Sequence, residues 1–130
     1  MSTVTPTRSL VEKYYELIDT GRLAEAALLM TDGVKFTFAN ADPIVGRSAA
    51  ESSIQFVLDQ CSKIKHSIVT FFEFAREDGW TDIIFEIRIK FDLKNGRTLD
   101  LPGCAVATVN SDGSFTEQRL YADLNEVFAP

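Results

Sequence analysis

Apolar and polar residues alternate strictly along the segment Trp80–Leu93. The apolar positions of one face are Ile83, Phe85, Ile87, Ile89, Phe91 and Leu93. The charged positions of the other face are Asp82, Glu86, Arg88, Lys90 and Asp92. A period of two residues is typical of a β-strand that turns one face to the core. The segment therefore predicts a long, half-buried strand.

Two further strands are predicted after this one. Asn95-Gly96 indicates a type I′ hairpin turn, in which both central residues need a positive φ. The chain returns over Arg97–Val109, turns at Asn110–Gly113 and forms a third strand over Phe115–Phe128. Pro102-Gly103 interrupts the return strand. Because proline cannot donate a hydrogen bond to a sheet, we expect a bulge or a sharp bend there.

Helical spacing dominates the first half of the chain. Apolar residues recur every three or four positions over Thr7–Thr20, which predicts an amphipathic helix that ends at Gly21. Ser48 and Glu51 form a capping-box pattern that begins a later helix. The remaining elements are predicted to be a helix at Leu23–Met30, a strand at Val34–Phe38, the capped helix from Ser48 to about Ser62, and a strand at Lys65–Glu77.

The order of these elements predicts an α+β fold, in which three helices pack on one face of a strongly curved, mostly antiparallel sheet. The short strand at 34–38 is expected at an edge of that sheet. Residues 1–7 are expected to be frayed. Residues 8–130 are expected to form one domain, because a chain of 130 residues is long enough for a single core.

Composition and charge exclude several classes of partner. With 45% hydrophobic and 25% charged residues, the sequence is globular rather than disordered. Its net charge is −6 and its basic residues do not cluster, which argues against nucleic acid or an anionic membrane as a partner. Cys61 and Cys104 lie far apart without a metal-binding spacing, so neither a zinc site nor a disulfide framework is expected. No secretory leader and no apolar run of bilayer length are seen, so a cytoplasmic protein is the expectation.

Four segments, in their order and spacing, resemble the nuclear-transport-factor-2-like (NTF2-like) superfamily, in its SnoaL-like and ketosteroid-isomerase-like branch. They are Lys13–Gly21, Val34–Phe36, Ile44–Ser48, and Asp112-Gly113 followed by Leu120–Asp123. The resemblance covers nearly all of the chain and implies a cone-shaped α+β barrel with an apolar pocket between helices and sheet. The superfamily includes isomerases, dehydratases, epoxide hydrolases, polyketide cyclases and non-enzymatic binding domains, so the fold alone does not select an activity.

The resemblance also implies a catalytic role for Asp19 and His66. These positions match an aspartate and a histidine that form a catalytic dyad in scytalone-dehydratase-like relatives, although the second histidine of those dehydratases has no counterpart here. A carboxylate that holds an imidazole fixes its tautomer and raises its basicity, which suits a general base for proton abstraction beside a carbonyl. His66 is the only histidine and lies in phase with Ile68 and Phe72, on the inward face of its predicted strand. The alternative is that Asp19 only closes its helix and that His66 is a rim residue.

Tyr14 matches the oxyanion tyrosine of ketosteroid isomerases. A buried phenol could donate a hydrogen bond to a substrate oxygen that gains negative charge, or it could simply fill the core. The two acids of those isomerases fall at about Phe38 and near Ala105, so a steroid isomerase is disfavoured and Asp42 is kept as a candidate base. Asp123 matches an acidic residue near the end of many SnoaL-like chains, but the alternation of its strand turns it towards solvent or a dimer partner.

Ten phenylalanines against one histidine suggest a pocket that is lined by aromatic side chains and suits an apolar or aromatic ligand. The expected ligand-binding residues are Phe38, Asp42, Phe56, Phe72 and Cys104. Cys104 is expected to be a small buried residue rather than a nucleophile.

The sequence therefore predicts a SnoaL-like protein that binds a small hydrophobic molecule without a cofactor or a metal ion. If the protein is an enzyme, we expect isomerisation, dehydration or cyclisation, with His66 as the base, Asp19 as its orienting partner and Tyr14 as the hydrogen-bond donor. A non-catalytic binding module and a dimerisation domain remain as alternatives. Ile84 lies among the charged residues of its strand and leaves room for a homodimer through the sheet face.

Overall fold

Three helices pack on one face of a six-stranded, curved and mostly antiparallel sheet, which confirms the predicted α+β fold. The computed structural model describes residues 4–130. The elements are α1 (Pro6–Asp19), α2 (Leu23–Ala27), β1 (Met30–Phe38), β2 (Ile44–Val45), α3 (Arg47–Leu58), β3 (Cys61–Ala75), β4 (Thr81–Leu93), β5 (Thr98–Val109), β6 (Phe115–Tyr121) and a 3₁₀ helix (Asn125–Val127). The strands follow the order β2-β1-β6-β5-β4-β3. Within residues 4–130, no helix is both long and apolar enough to cross a membrane.

The alternating face of β4 forms the centre of the core, as its pattern predicted. Ile83 is 0% exposed and Phe91 is 1% exposed. Helix α1 covers this face with a buried stripe that includes Tyr14. The helix begins early because Thr5 caps it, with its Oγ1 accepting a hydrogen bond of 3.2 Å from the backbone N–H of Arg8. The expected frayed start falls in part on residues 1–3, which lie outside the described residues, whereas residues 6 and 7 belong to the helix.

The strand β1 is second from the edge of the sheet, so its predicted edge position is wrong. It runs parallel to β6 on one side and pairs with β2 on the other. The predicted loop contains β2, whose Ile44 and Val45 pair with Phe36 and Lys35. A strand of two residues is too short to show any alternation in the sequence.

Helix α3 begins after a glycine rather than at the predicted capping box. Gly46 precedes the helix with a φ of 114°, and no side chain caps it there. Arg47 instead fixes the start of the helix to β1. Its Nε and Nη2 donate hydrogen bonds of 3.1 and 2.7 Å to the carbonyl oxygen of Met30, and its Nη1 lies 2.8 Å from Asp32.

The turn at Asn95-Gly96 is a hairpin turn, but it is not type I′. Gly96 has a φ of 89°, whereas Asn95 has a negative φ. The N–H of Gly96 donates to the carbonyl of Leu93, and the N–H of Leu93 donates to the carbonyl of Arg97. This is the three-residue loop in which a type I turn is followed by a left-handed glycine.

Pro102-Gly103 lies in regular sheet rather than in the predicted bulge. Arg88 pairs with Pro102 and Ile87 with Gly103 without a shift in register. β6 extends along β5 only as far as Cys104, so Pro102 has no strand on that side to which an N–H would donate. A Cβ at Gly103 would come within 3.2 Å of Cγ1 of Ile87, so a side chain at this inward position would require Ile87 to shift by a few tenths of an ångström.

One register shift, in β3, decides on which face the side chains near the site lie. Ile68 pairs with Ile87, but the next pair joins Thr70 to Glu86, so one residue of β3 is left over. An extra residue reverses the alternation beyond it, because side chains alternate with a period of two. His66 lies before the bulge and Phe72 after it, so their side chains are on opposite faces of the sheet.

Candidate functional site

A cavity of about 60 Å³ lies between the sheet and the helices α1 and α3. Most of its wall is apolar, with aromatic residues such as Phe38 and Phe85. The polar side chains in its lining come from Tyr14, Tyr15, His66, Gln118 and Arg119. A mostly apolar wall with a few polar groups is typical of small-molecule sites, but this cavity is smaller than the range of about 300–1,000 Å³ that such sites usually have.

His66 and Asp19 meet at this wall through two hydrogen bonds. Nδ1 of His66 lies 2.6 Å from Oδ1 of Asp19, and the backbone N–H of His66 donates to Oδ2 at 2.8 Å. Each of the two side chains is 8% exposed. Asp19 is the last residue of α1, and His66 lies on β3 before the bulge, where inward positions alternate. The carboxylate therefore holds both the ring and the backbone of His66.

Tyr15 stacks on the other side of the imidazole, and the sequence reasoning missed it. The two ring centroids are 4.3 Å apart and the ring planes differ by 16°. Burial, together with the neighbouring Tyr14 and Asp19, raises the pKa of Tyr15 far above its usual value. Its position four residues before Asp19 was a usable signal, because residues at that spacing share one face of a helix.

The arrangement sets the tautomer of His66. A carboxylate next to Nδ1 accepts its hydrogen, so the neutral ring carries its proton on Nδ1 and its lone pair on Nε2. Since Asp19 occupies Nδ1, Nε2 is the ring nitrogen that remains available to a ligand. His66 also borders an outer, polar groove that includes Arg8, Glu12 and Lys65, so the imidazole separates the cavity from that groove.

Tyr14 is buried in the same wall, with 3% of its surface exposed. Its ring packs edge-to-face on Phe115, with the centroids 5.2 Å apart. Burial raises the pKa of Tyr14 well above its usual value, and the side-chain amide of Gln118 only partly opposes this rise. The phenol therefore stays protonated at neutral pH and can act as a hydrogen-bond donor.

Comparison with known proteins identifies the family of the chain. A family model described as a SnoaL-like domain matches residues 11–118. The chain belongs to the SnoaL-like domain family. Among curated proteins, the comparison gave no significant match.

This SnoaL-like domain is similar to several solved structures. A candidate polyketide cyclase from Xanthomonas campestris pv. campestris has 22% identity and a TM-score of 0.68, with 93% of each chain covered. A candidate scytalone dehydratase from Novosphingobium aromaticivorans has 16% identity and a TM-score of 0.80, covering 88% of this chain and 79% of that one. A candidate SnoaL-like polyketide cyclase from Jannaschia sp. has 15% identity and a TM-score of 0.75, covering 98% and 94%. Identities this low show a common NTF2-like fold and no more.

Of the five expected ligand-binding residues of this SnoaL-like domain, Phe38 lines the cavity. Phe56 does not, because it points away from the core on α3, is 62% exposed and stacks on Phe128 at 5.4 Å. Phe72 does not either, because the bulge in β3 turns it to the outer face, where it is 56% exposed. The structure therefore places both side chains outside the cavity.

Cys104 and Asp42 also lie away from the cavity. Cys104 is half-buried on the outer face of β5, opposite Glu86 and Tyr121. Asp42 is exposed in the loop between β1 and β2 and does not line the cavity. Asp123 is exposed, but it lies beyond the end of β6 at Tyr121, and its Oδ1 accepts a hydrogen bond from the N–H of Asn125.

Metal-ligating side chains do not gather at the site. Among residues 4–130, no group of three or more His, Cys, Asp or Glu side chains could hold a metal ion. The polar groups that could bind a ligand here are therefore hydrogen-bonding side chains.

Proposed function

We propose that this SnoaL-like domain binds a small, largely apolar molecule in its cavity and catalyses a cofactor-free proton transfer on it. The reaction class is isomerisation, dehydration or cyclisation. His66 is the general base, Asp19 orients it and Tyr14 donates a hydrogen bond to the substrate oxygen. The observation that carries the proposal is the contact of 2.6 Å between His66 and Asp19 at the wall of an apolar cavity.

The first step moves one proton and two electron pairs. Nε2 of His66 takes a proton from a carbon beside a carbonyl, and the electron pair of that C–H bond forms a carbon–carbon double bond as the carbonyl π electrons move to oxygen. Asp19 stabilises the imidazolium that forms, and Tyr14 stabilises the oxygen that gains charge.

In the second step the electron pair on oxygen re-forms the carbonyl, and the proton on His66 is returned. In an isomerisation the electrons of the carbon–carbon double bond take that proton at another carbon of the conjugated system, and in a dehydration they expel a hydroxyl group, which leaves with the proton as water. In a cyclisation they form a bond to a second carbonyl carbon, whose oxygen takes the proton.

Deuterium exchange tests the base without knowledge of the natural substrate. Phenylacetone in D₂O, followed by NMR, reports how fast its acidic C–H bonds exchange in the presence of the protein. We expect catalysed exchange that falls by about 10²-fold to 10⁴-fold in His66→Ala, the range typical of a positioned acid or base. Asp19→Asn is expected to lose most of the rate as well. Asp59→Asn is the matched control, because Asp59 caps the end of α3 away from the cavity.

Two outcomes count against the proposal. Exchange that is unaffected by His66→Ala removes the imidazole as the base. Binding of phenylacetone in the cavity without any exchange favours the alternative of a non-catalytic binding module, which the apolar wall alone would also support.

A further inference from the structure

The cavity has little room for a ligand while its wall is closed. Its volume of about 60 Å³ corresponds to about two water molecules, since each takes about 30 Å³ in the liquid. The binding of even one aromatic ring therefore requires that part of the wall moves aside. Which part can move depends on how each part of the wall is attached to the rest of the fold.

Residues 123–130, which we call the closing segment, form a part of the wall that lacks backbone attachments. Leu124 lines the cavity. The N–H of Val127 donates to the carbonyl of Leu124, and the N–H of Phe128 donates to the carbonyl of Asn125, so these hydrogen bonds stay within the segment. Within residues 4–130, no backbone hydrogen bond joins the closing segment to a strand or to another helix. Side chains therefore hold it in place.

Three side chains attach the closing segment to the rest of the fold. Val127 is 3% exposed and belongs to the hydrophobic core. Phe128 stacks on Phe56 of α3, with the ring centroids 5.4 Å apart and the ring planes at 23°. Glu126 lies 3.5 Å from Arg97, but both side chains are exposed, and such a pair contributes little to stability. The attachment thus consists mainly of one buried valine and one aromatic pair.

The aromatic pair lies outside the cavity. Phe56 is 62% exposed and Phe128 is 42% exposed, so each ring covers part of the other at the surface. Leu58, two residues after Phe56 on α3, lines the cavity together with Leu124. The pair therefore joins the same two elements whose inner side chains form this part of the wall. It can hold the closing segment against α3 without filling the space that a ligand would occupy.

The wall between the cavity and the outer, polar groove is attached more firmly. Tyr15 and His66 border both spaces. They belong to α1 and β3, and Asp19 joins these two elements through its hydrogen bonds to the ring and the backbone of His66. An opening there would break both hydrogen bonds and separate the stacked rings. The closing segment is the part of the wall that moves at lower cost.

We propose that the closing segment is a lid that opens to admit the ligand, with the stack of Phe128 on Phe56 as its latch. Opening exposes Leu124 and Val127 and leaves the sheet intact, and the same contacts re-form when the lid closes over the ligand. The inference rests on the proposed function, because it takes the cavity as the binding site. It does not depend on turnover.

Hydrogen exchange of the protein without a ligand tests the motion. The amide of Val127 should exchange faster than the amides of the core strand β4, because local opening frees its hydrogen bond without unfolding the sheet. Phe56→Ala removes the latch and leaves the residues of the closing segment unchanged. It should raise the exchange rate of the Val127 amide by about twofold to tenfold, as for the loss of one aromatic pair, without a change in β4.

The entry and exit of a ligand test whether this motion admits it. The probe is para-fluorophenylacetone, followed by ¹⁹F NMR. Because the lid must open in both directions, Phe56→Ala should raise kon and koff by the same factor, about twofold to tenfold, with Kd unchanged. Phe128→Ala should act in the same way, and the double variant should add nothing, because each substitution removes the same contact.

Two control variants accompany these measurements, with circular dichroism to confirm that every variant is folded. Leu28→Ala is the matched control, because Leu28 is 66% exposed at the end of α2 and does not line the cavity. Arg8→Ala changes the outer groove instead. Both should leave kon and koff as they are.

Several results would overturn the lid. They are exchange of the Val127 amide as slow as in β4, rates of entry and exit that do not respond to the loss of the latch, and faster entry and exit in Arg8→Ala alone, which would place the entrance at the groove. Absence of probe binding would remove the lid together with the binding that the proposed function requires. Rates that respond to Phe56→Ala without deuterium exchange of phenylacetone keep the lid and reject the proposed reaction. Deuterium exchange with rates that ignore the latch does the reverse.

Discussion

The imidazole of His66 has two partners: Asp19 contacts its Nδ1, and Tyr15 stacks on its ring. The hydrogen bond to Asp19 limits rotation of the ring, and the stacking of Tyr15, with the ring centroids 4.3 Å apart, fixes the orientation of the ring plane. A ring with both constraints loses little rotamer freedom when a ligand binds, which is the preorganisation that a general base needs. Tyr15 is thus a positioning residue, since its role is to hold His66.

The two buried tyrosines make stability depend on pH in the alkaline range. Burial raises the pKa of both Tyr14 and Tyr15 above the ordinary value of 10.0. Above pH 10 the unfolded chain releases these protons and the folded chain retains them, so the free energy of unfolding falls as the pH rises. The expected slope is about 1.4 kcal/mol per pH unit for each tyrosine, with no effect below pH 9.

Urea denaturation between pH 8 and pH 11 measures this slope. Tyr14→Phe should reduce the slope by the contribution of one tyrosine, about 1.4 kcal/mol per pH unit. Tyr121→Phe is the control, because Tyr121 is 50% exposed and its substitution should leave the slope unchanged. A free energy of unfolding that stays flat up to pH 11 would contradict the burial of the two phenols.

At the scale of elements, the segment after β6 closes one side of the cavity. β6 ends at Tyr121 rather than at the predicted Phe128, and a 3₁₀ turn follows. Leu124 lines the cavity and Val127 is 3% exposed. The spacing of three residues between them suits a helical turn. The sequence did not indicate this turn, because the alternation of the preceding residues favoured a continued strand.

Val127→Ala tests whether this segment is packed as described. The change removes two buried methyl groups, and we expect a loss of about 1.5–2.5 kcal/mol in the free energy of unfolding. Chemical denaturation gives the value, and Glu126→Ala, at an exposed neighbour, should cost much less. Equal effects of the two substitutions would show that the segment is not docked.

The periodicity of apolar residues predicted most helices and strands, but it predicted the residues of the cavity only in part. The core face of β4 could be assigned because every second residue from Ile83 to Leu93 is apolar and only Ile84 interrupts the polar face. The bulge in β3 has no signal in the sequence, because the extra residue changes the phase without changing the composition, and Phe72 was therefore assigned to the wrong face. Gln118 could have been found, since it lies two residues before Leu120 and shares its inward phase.

At the scale of the whole molecule, the outer face of the sheet carries apolar side chains that no helix covers. Phe72 pairs with Ile84 across β3 and β4, and Phe74 lies beside them, with 56%, 38% and 54% of their surfaces exposed. Apolar side chains that cluster on one face mark a surface for association. We propose a second copy of the chain as the occupant, because a sheet face of this kind can pair with itself about a two-fold axis.

Analytical ultracentrifugation tests this association. Phe72→Glu should convert a dimer to a monomer, because a charge at the centre of an apolar interface loses its hydration without gaining a partner. Val45→Glu is the matched control, since Val45 is 69% exposed on β2, away from this face. A protein that is monomeric before any substitution would contradict the proposed pairing.

The central claim is that Asp19 fixes the tautomer of His66, so that the neutral ring carries its hydrogen on Nδ1 and leaves Nε2 unprotonated. Because the chain has a single histidine, this tautomer can be measured directly. The ¹⁵N NMR shifts of its two ring nitrogens, recorded above the pH at which the ring is protonated, report which nitrogen carries the hydrogen. We predict one tautomer, with Nδ1 protonated and Nε2 unprotonated, and its loss in Asp19→Asn. A ring that carries its proton on Nε2, or that averages between the two tautomers as in a free peptide, would contradict the account.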